Sequence, residues 1–80
     1  MHSLEIHYFA LLREKSGKVS ETIQTQAKSY AELYSELALK YDFGLPFEMV
    51  QVAVNDEFKP LTSAIIPSSK VVFIPPVAGG

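Results

Sequence analysis

The residues of this sequence best suited to chemistry are the last two, Gly79 and Gly80. Two residues without side chains let the walls of an enzyme close around the main chain, and they leave the terminal α-carboxylate open to attack on a nucleotide phosphate. A carboxylate is a poor electrophile, so acyl transfer from it requires activation, for which an acyl adenylate made with ATP by a separate enzyme is the favoured route. The alternative is that the two glycines are a frayed chain end without function.

The composition narrows the classes of site that the chain can hold. With no cysteine among 80 residues, disulfides, thiolate metal sites and cysteine nucleophiles are excluded, so a sulfur payload requires a C-terminal thiocarboxylate. Two histidines alone do not make a metal-ligand set, and we expect no metal. The net charge of −2 and the scattered Lys and Arg residues argue against nucleic acid and anionic membrane as partners. Without a membrane span or signal peptide, we expect the cytoplasm.

The residues before the ending predict how it is presented. Lys70 to Ile74 is rich in β-branched and aromatic residues and is apolar on both faces, a pattern typical of a central strand. Pro75 and Pro76 end that strand because proline has no N–H to donate. We therefore expect residues 75–80 to leave the body as an extended, flexible tail.

The remainder predicts one α+β domain over residues 1–80. Alternating patterns predict strands at 4–9, 19–25 and 50–55, with 19–25 at an edge and a short return segment at 58–59. Residues 10–15 fit a short helical turn. Ser29 and Glu32 form a capping box, followed by an apolar stripe at helical spacing that Gly44 and Pro46 terminate. One main helix should therefore cover one face of a sheet whose strand order the sequence leaves open.

Several segments, in this order and near these spacings, resemble the small subunit of molybdopterin synthase. They are Tyr8-Phe9-Ala10-Leu11-Leu12-Arg13-Glu14, Val52-Ala53-Val54-Asn55, Pro60-Leu61 and Val72-Phe73-Ile74-Pro75-Pro76-Val77-Ala78-Gly79-Gly80. The resemblance implies a ubiquitin-like β-grasp fold with a mixed four- to five-stranded sheet. One departure is the segment Ile66-Pro67-Ser68-Ser69-Lys70, where the family usually has an acidic, Gly-containing turn.

The resemblance also implies a cycle of partners. A ubiquitin-activating-like adenylyltransferase uses ATP to adenylate Gly80, and a sulfur donor enzyme converts the adenylate to a thiocarboxylate. The tail then enters the large synthase subunit, where the sulfur passes to cyclic pyranopterin monophosphate to build the molybdopterin dithiolene. The chain itself is expected to bind no cofactor and to act as the non-catalytic, sulfur-donating subunit of a heterotetramer.

Carried over by position, the resemblance assigns roles to seven residues. Gly80 would carry the sulfur, and Val77 and Gly79 would lie in the channel of the partner. Phe9, Phe58 and Ile74 would form an apolar contact patch. Arg13 would add a polar contact near that patch.

Other interpretations remain open at this point. Phe9 and Phe58 also fit an ordinary core. The chain also fits a sulfur carrier of another pathway, such as thiamine or tungsten-cofactor synthesis. A third interpretation is a ubiquitin-like protein modifier or a non-catalytic binding domain.

Overall fold

The computed structural model describes residues 2–76. Within that range the elements are, in chain order, β1 (His2–Tyr8), α1 (Leu11–Ser16), β2 (Ser20–Thr25), α2 (Tyr30–Tyr41), a 3-10 helix (Phe47–Met49), β3 (Gln51–Val54), β4 (Glu57–Lys59) and β5 (Lys70–Ile74). The predicted strands and the predicted main helix are confirmed to within two residues at each end. The predicted turn at residues 10–15 is the short helix α1.

The five strands form one mixed sheet in the order β2-β1-β5-β3-β4. β1 and β5 run parallel, whereas the pairs β1–β2, β5–β3 and β3–β4 are antiparallel. The central position of β5 and the edge position of β2 are both confirmed. With one main helix over one face, this is the ubiquitin-like β-grasp fold.

The core lies between α2 and the sheet face that the helix covers. Alternate residues of the strands and one stripe of α2 supply it, together with residues from the connections. The buried apolar residues are Leu4, Ile6, Tyr8, Leu12, Ala27, Tyr30, Leu33, Tyr34, Leu37, Phe43, Val50, Val52, Val54, Ile65, Val71 and Phe73. The predicted alternation of β1 and β3 and the predicted helix stripe therefore point to the correct core.

Helix α2 begins at the predicted cap but ends earlier than the predicted stop. The Ser29 hydroxyl accepts the Glu32 N–H at 3.2 Å, while the Glu32 carboxylate accepts the Lys28 N–H at 3.3 Å. The helix ends at Tyr41 because Asp42 adopts a left-handed conformation with φ of 54°. The left-handed position that favours glycine is thus taken by Asp42, two residues before Gly44.

The first residue of β5 is fixed by contacts on both sides. The Asn55 side-chain oxygen accepts the Lys70 N–H at 2.9 Å, and the Asn55 N–H donates to the Lys70 carbonyl at 2.9 Å. On the other side, the Glu5 N–H donates to the Ser69 carbonyl at 3.1 Å. Because Asn55 and Asp56 form the left-handed turn between β3 and β4, this hairpin turn sets where β5 begins.

A carboxylate joins β1, β2 and the end of α2. Glu21 accepts hydrogen bonds from the hydroxyls of Tyr8 at 2.5 Å and Tyr41 at 2.6 Å, and it pairs with the Lys18 ammonium at 3.0 Å. Burial favours the neutral acid, but the hydrogen bonds from Tyr41, Tyr8 and Lys18 outweigh it and lower the pKa of Glu21 to about 2. The ionised form therefore stabilises the fold.

This cluster predicts an acid-dependent loss of stability. The pKa of Glu21 lies below its ordinary value of 4.5, so its contribution is complete above that value and is lost as the pH falls towards about 2. Replacing Glu21→Gln should cost about 1–3 kcal/mol of unfolding free energy at neutral pH, measured by urea denaturation. The difference between the two proteins should shrink in acid. An equal difference at neutral pH and near pH 2 would contradict this account.

Candidate functional site

The sheet face turned away from α2 carries a row of paired residues across four strands, and the row is apolar on three of them. His7 pairs with Val72, Val72 pairs with Ala53, and Ala53 pairs with Phe58. Paired residues of neighbouring strands point to the same face, so these four side chains lie side by side. Val72 and Ala53 are half-buried, whereas Phe58 is 67% exposed. We call Val72, Ala53, Phe58 and Ile74 the apolar strip.

Two members of the strip lie on β5, the strand that leads to Pro75 and Pro76. Ile74 lies two residues beyond Val72 on the same face and is half-buried. Pro75 is buried, and Pro76, the last described residue, is exposed. The strip therefore ends next to Pro75 and Pro76, where the described part of the chain ends.

Phe9 and Arg13 lie at the tail end of the sheet. Because β1 and β5 are parallel with Tyr8 opposite Phe73, the residue after Tyr8 emerges at the same end as Ile74. Phe9 is 57% exposed, and Arg13 is exposed on α1. The strand predicted to reach Phe9 ends at Tyr8 instead, so Phe9 projects from a turn.

Ala10, which follows Phe9 in that turn, has a strained backbone conformation. Ala10 has φ of 51° and ψ of −121°, a conformation that glycine adopts easily and that costs another residue about 1–3 kcal/mol. The turn is held by the Leu12 N–H, which donates to the Phe9 carbonyl at 3.1 Å, and by the Arg13 N–H, which donates to the Ala10 carbonyl at 3.0 Å. Phe9 is consequently presented by a hydrogen-bonded corner of the chain.

The charged residues of this face lie at the end opposite Ile74. Glu5 is opposite Lys70 in the row before the apolar one, and the Glu5 carboxylate contacts the His7 imidazole. Lys70 also pairs with Asp56 across 3.5 Å at the surface. The face thus carries the apolar strip at the end near Ile74 and charged residues at the opposite end.

The described residues contain no group of three or more His, Cys, Asp and Glu placed to hold a metal ion. None of the helices between residues 2 and 76 has the length and apolar character needed to cross a bilayer.

Comparison with protein-family profiles matches residues 6–80 to the ThiS family. This chain belongs to the ThiS family. It is a small ThiS-like sulfur carrier domain with the ubiquitin-like β-grasp fold, as the sequence resemblance predicts at this coarser level.

Solved structures with the same fold come from several organisms. A putative molybdopterin converting factor, subunit 1, from Pyrococcus furiosus aligns with a TM-score of 0.77 and 20% identity over 96% of this chain and 100% of that chain. Small archaeal modifier protein 1 from Methanosarcina acetivorans aligns with a TM-score of 0.76 and 19% identity over 100% and 98%. A chain of the BexX/CysO complex from Amycolatopsis orientalis aligns with a TM-score of 0.68 and 19% identity over 96% and 99%. At such identities the likeness shows the fold alone.

The structure places the predicted site residues of this ThiS-family chain as follows. Phe9 and Phe58 are surface residues, so the interpretation of both as core residues is wrong. Ile74 lies in the apolar strip, and Arg13 lies at the same end of the sheet as Phe9. Their contact with a partner stays a prediction. Val77, Gly79 and Gly80 lie outside the described residues.

Two members of the strip, Ala53 and Val72, were not predicted as site residues. The signal for both is strand alternation, because their neighbours Val52, Val54 and Phe73 point into the core. The sequence pattern of β5, apolar on both faces, is therefore explained by a core on one face and the apolar strip on the other.

The exposure of the two phenylalanines predicts how the ThiS-family domain responds to substitution. Phe9→Ser and Phe58→Thr should each change the unfolding free energy by no more than about 0.5 kcal/mol, because little core contact is lost. Phe73→Ala is the matched control and should cost about 3–5 kcal/mol, because Phe73 is fully buried. Chemical denaturation of the isolated domain measures all three. A loss of unfolding free energy at Phe9 or Phe58 as large as that of Phe73→Ala would show that the residue packs in the core.

Proposed function

We propose that this ThiS-family chain is the sulfur carrier subunit of molybdopterin synthase. A ubiquitin-activating-like adenylyltransferase transfers AMP from ATP to the carboxylate of Gly80 and releases pyrophosphate. A sulfur donor enzyme then supplies the sulfur that displaces AMP, which leaves a thiocarboxylate. In the large synthase subunit this sulfur passes to cyclic pyranopterin monophosphate. The chain binds no cofactor in this scheme, and ATP belongs to the activating enzyme.

One observation supports the carrier role most directly: two members of the apolar strip, Val72 and Ile74, lie on β5, the strand that leads to Pro76. β5 is paired with β1 on one side and β3 on the other, so the strip and Pro76 have a fixed spatial relation. An exposed apolar surface on so small a domain marks a protein-binding site. A partner that binds there holds the last residues at a defined place, which is how an enzyme converts binding into positioning of a reacting group.

The choice of the molybdopterin pathway rests on the last eight residues. Phe73-Ile74-Pro75-Pro76-Val77-Ala78-Gly79-Gly80 is the most specific part of the sequence resemblance, because other carriers share the two glycines without the prolines and valine before them. The similar Pyrococcus furiosus protein, described as a putative molybdopterin converting factor subunit, agrees with this choice. In the proposed complex, two small and two large subunits assemble, and Val77 and Gly79 occupy the channel of the large subunit.

A second candidate is a ubiquitin-like protein modifier. The similar Methanosarcina acetivorans structure is described as a small archaeal modifier protein, which favours this alternative over a generic binding domain. In that role, the activated carboxyl group of Gly80 would form an amide with a lysine of a target protein. A sulfur carrier for thiamine synthesis would share the activation steps and differ in the acceptor.

The carrier role predicts a change of mass at the C-terminus. After incubation with the activating enzyme, ATP and the sulfur donor, intact-mass spectrometry should show a gain of about 16 Da, because sulfur replaces one oxygen. A variant without Gly80 should show no gain, while its melting temperature stays within about 4 °C of the parent because the core lies within residues 4–73. A mass gain that persists without Gly80 would place the sulfur elsewhere.

The docking role of the apolar surface predicts a loss of affinity for the large synthase subunit. Phe9→Lys and Phe58→Lys should each weaken binding, measured by calorimetry, by more than about 1 kcal/mol, because a charge replaces a buried aromatic contact. Leu39→Lys is the matched control. Leu39 is 88% exposed on α2, on the opposite side of the sheet from the strip, and its substitution should leave the affinity unchanged. Unchanged affinity for both phenylalanine variants would remove them from the docking surface.

A further inference from the structure

A cleft of about 370 Å³ opens beside the root of the tail. The 3-10 helix and the start of β3 form one wall, and the end of β5 forms the other. Its lining includes Glu48, Met49 and Gln51 on the first wall and Ile74, Pro75 and Pro76 on the second. The sequence resemblance assigns no role to the first wall, which we call the tail-root rim (Glu48, Met49 and Gln51).

Strand pairing and a backbone hydrogen bond hold the backbone of the tail-root rim in place. Gln51 pairs with Ile74 across the antiparallel strands β3 and β5. The Met49 N–H donates to the Pro46 carbonyl at 3.0 Å, and the next residue, Val50, is anchored in the core at 3% exposed. Met49 itself is 51% exposed. An apolar side chain is therefore held at the surface immediately beside the exposed Pro76.

The length of the tail forces any enzyme that acts on Gly80 close to this rim. Four residues follow Pro76. A fully extended chain of four residues spans at most about 14 Å. The reacting atoms of such an enzyme must lie within that distance of Pro76, so the mouth of its channel has to approach the cleft from which Pro76 emerges.

The rim presents a negative charge without a compensating cation. Glu48 is exposed and takes part in none of the ion pairs between residues 2–76. The other residues of the cleft are apolar or uncharged. Removing a lone carboxylate from water is costly unless the partner supplies a positive group. An enzyme that adenylates a carboxylate binds ATP through basic side chains, so the surface around its channel has a positive potential that an exposed carboxylate of the carrier complements.

We propose that Glu48 and Met49 are specificity-determining residues for the adenylating enzyme, which places a basic side chain against Glu48 and an apolar one against Met49. This inference rests on the proposed function, because it requires that Gly80 be adenylated. The rim acts on encounter and alignment of the carrier and takes no part in the chemical step. Its loss should therefore appear in KM and leave kcat unchanged.

The experiment is ATP–pyrophosphate exchange by the cognate ubiquitin-activating-like adenylyltransferase, measured over a range of carrier concentrations. Glu48→Gln should raise the KM for the full-length carrier roughly threefold to tenfold at low salt with kcat unchanged, and the effect should shrink at high salt. Met49→Ala should also raise KM. Gln26→Lys is the matched control, because it changes the net charge by the same amount at the opposite end of the sheet, next to Thr25, which pairs with His2. Its KM should equal that of the parent.

The outcomes separate this inference from the proposed function. No exchange with the parent carrier would overturn the proposed function itself. Exchange by the parent with an unchanged KM for Glu48→Gln would overturn the role of the rim and leave the carrier function standing. An equal rise for Gln26→Lys, or a rise that is independent of salt, would likewise overturn it, because net charge or a non-electrostatic change would then be the cause.

Discussion

The backbone hydrogen bonds that hold β5 between β1 and β3 determine both the core and the position of Pro76, the last described residue. β5 has a paired neighbour on each side, parallel in one case and antiparallel in the other. Its inward residues Val71 and Phe73 are fully buried. A strand fixed in this way cannot shift along its axis without breaking both ladders, so the position of Pro76 is set by the same contacts that stabilise the domain.

The register of β5 separates stability from recognition. A shift by one residue would move every side chain of the strand to the other face. Val71 and Phe73 would then leave the core, and Val72 and Ile74 would leave the apolar strip. The side chains that stabilise the fold and those that we assign to docking therefore alternate along one strand. Substitutions of Val72 and Ile74 should affect binding and leave the core intact.

Patterns between near neighbours in the chain predicted most of the fold. The capping box of Ser29 and the alternation of β1 and β3 depend on local periodicity, and they placed the main helix and the core correctly. Contacts between distant residues, such as the Glu21 cluster that joins three elements, were not predictable in this way. The turn at Ala10 was not predictable either, because its positive φ is a conformation that alanine rarely adopts. For the site, the exposed aromatics followed from the resemblance, whereas the tail-root rim required the pairing of Gln51 with Ile74.

On this account the folded domain is the part that partner enzymes bind, and the reactive group is the main-chain carboxylate of Gly80. The most direct test is reconstitution, in which the purified thiocarboxylated chain is mixed with the large synthase subunit and cyclic pyranopterin monophosphate. We predict that molybdopterin forms while the chain returns to the carboxylate form. Chromatography measures the pterin, and intact-mass spectrometry measures the chain. A thiocarboxylate that persists beside unconverted pterin would contradict it.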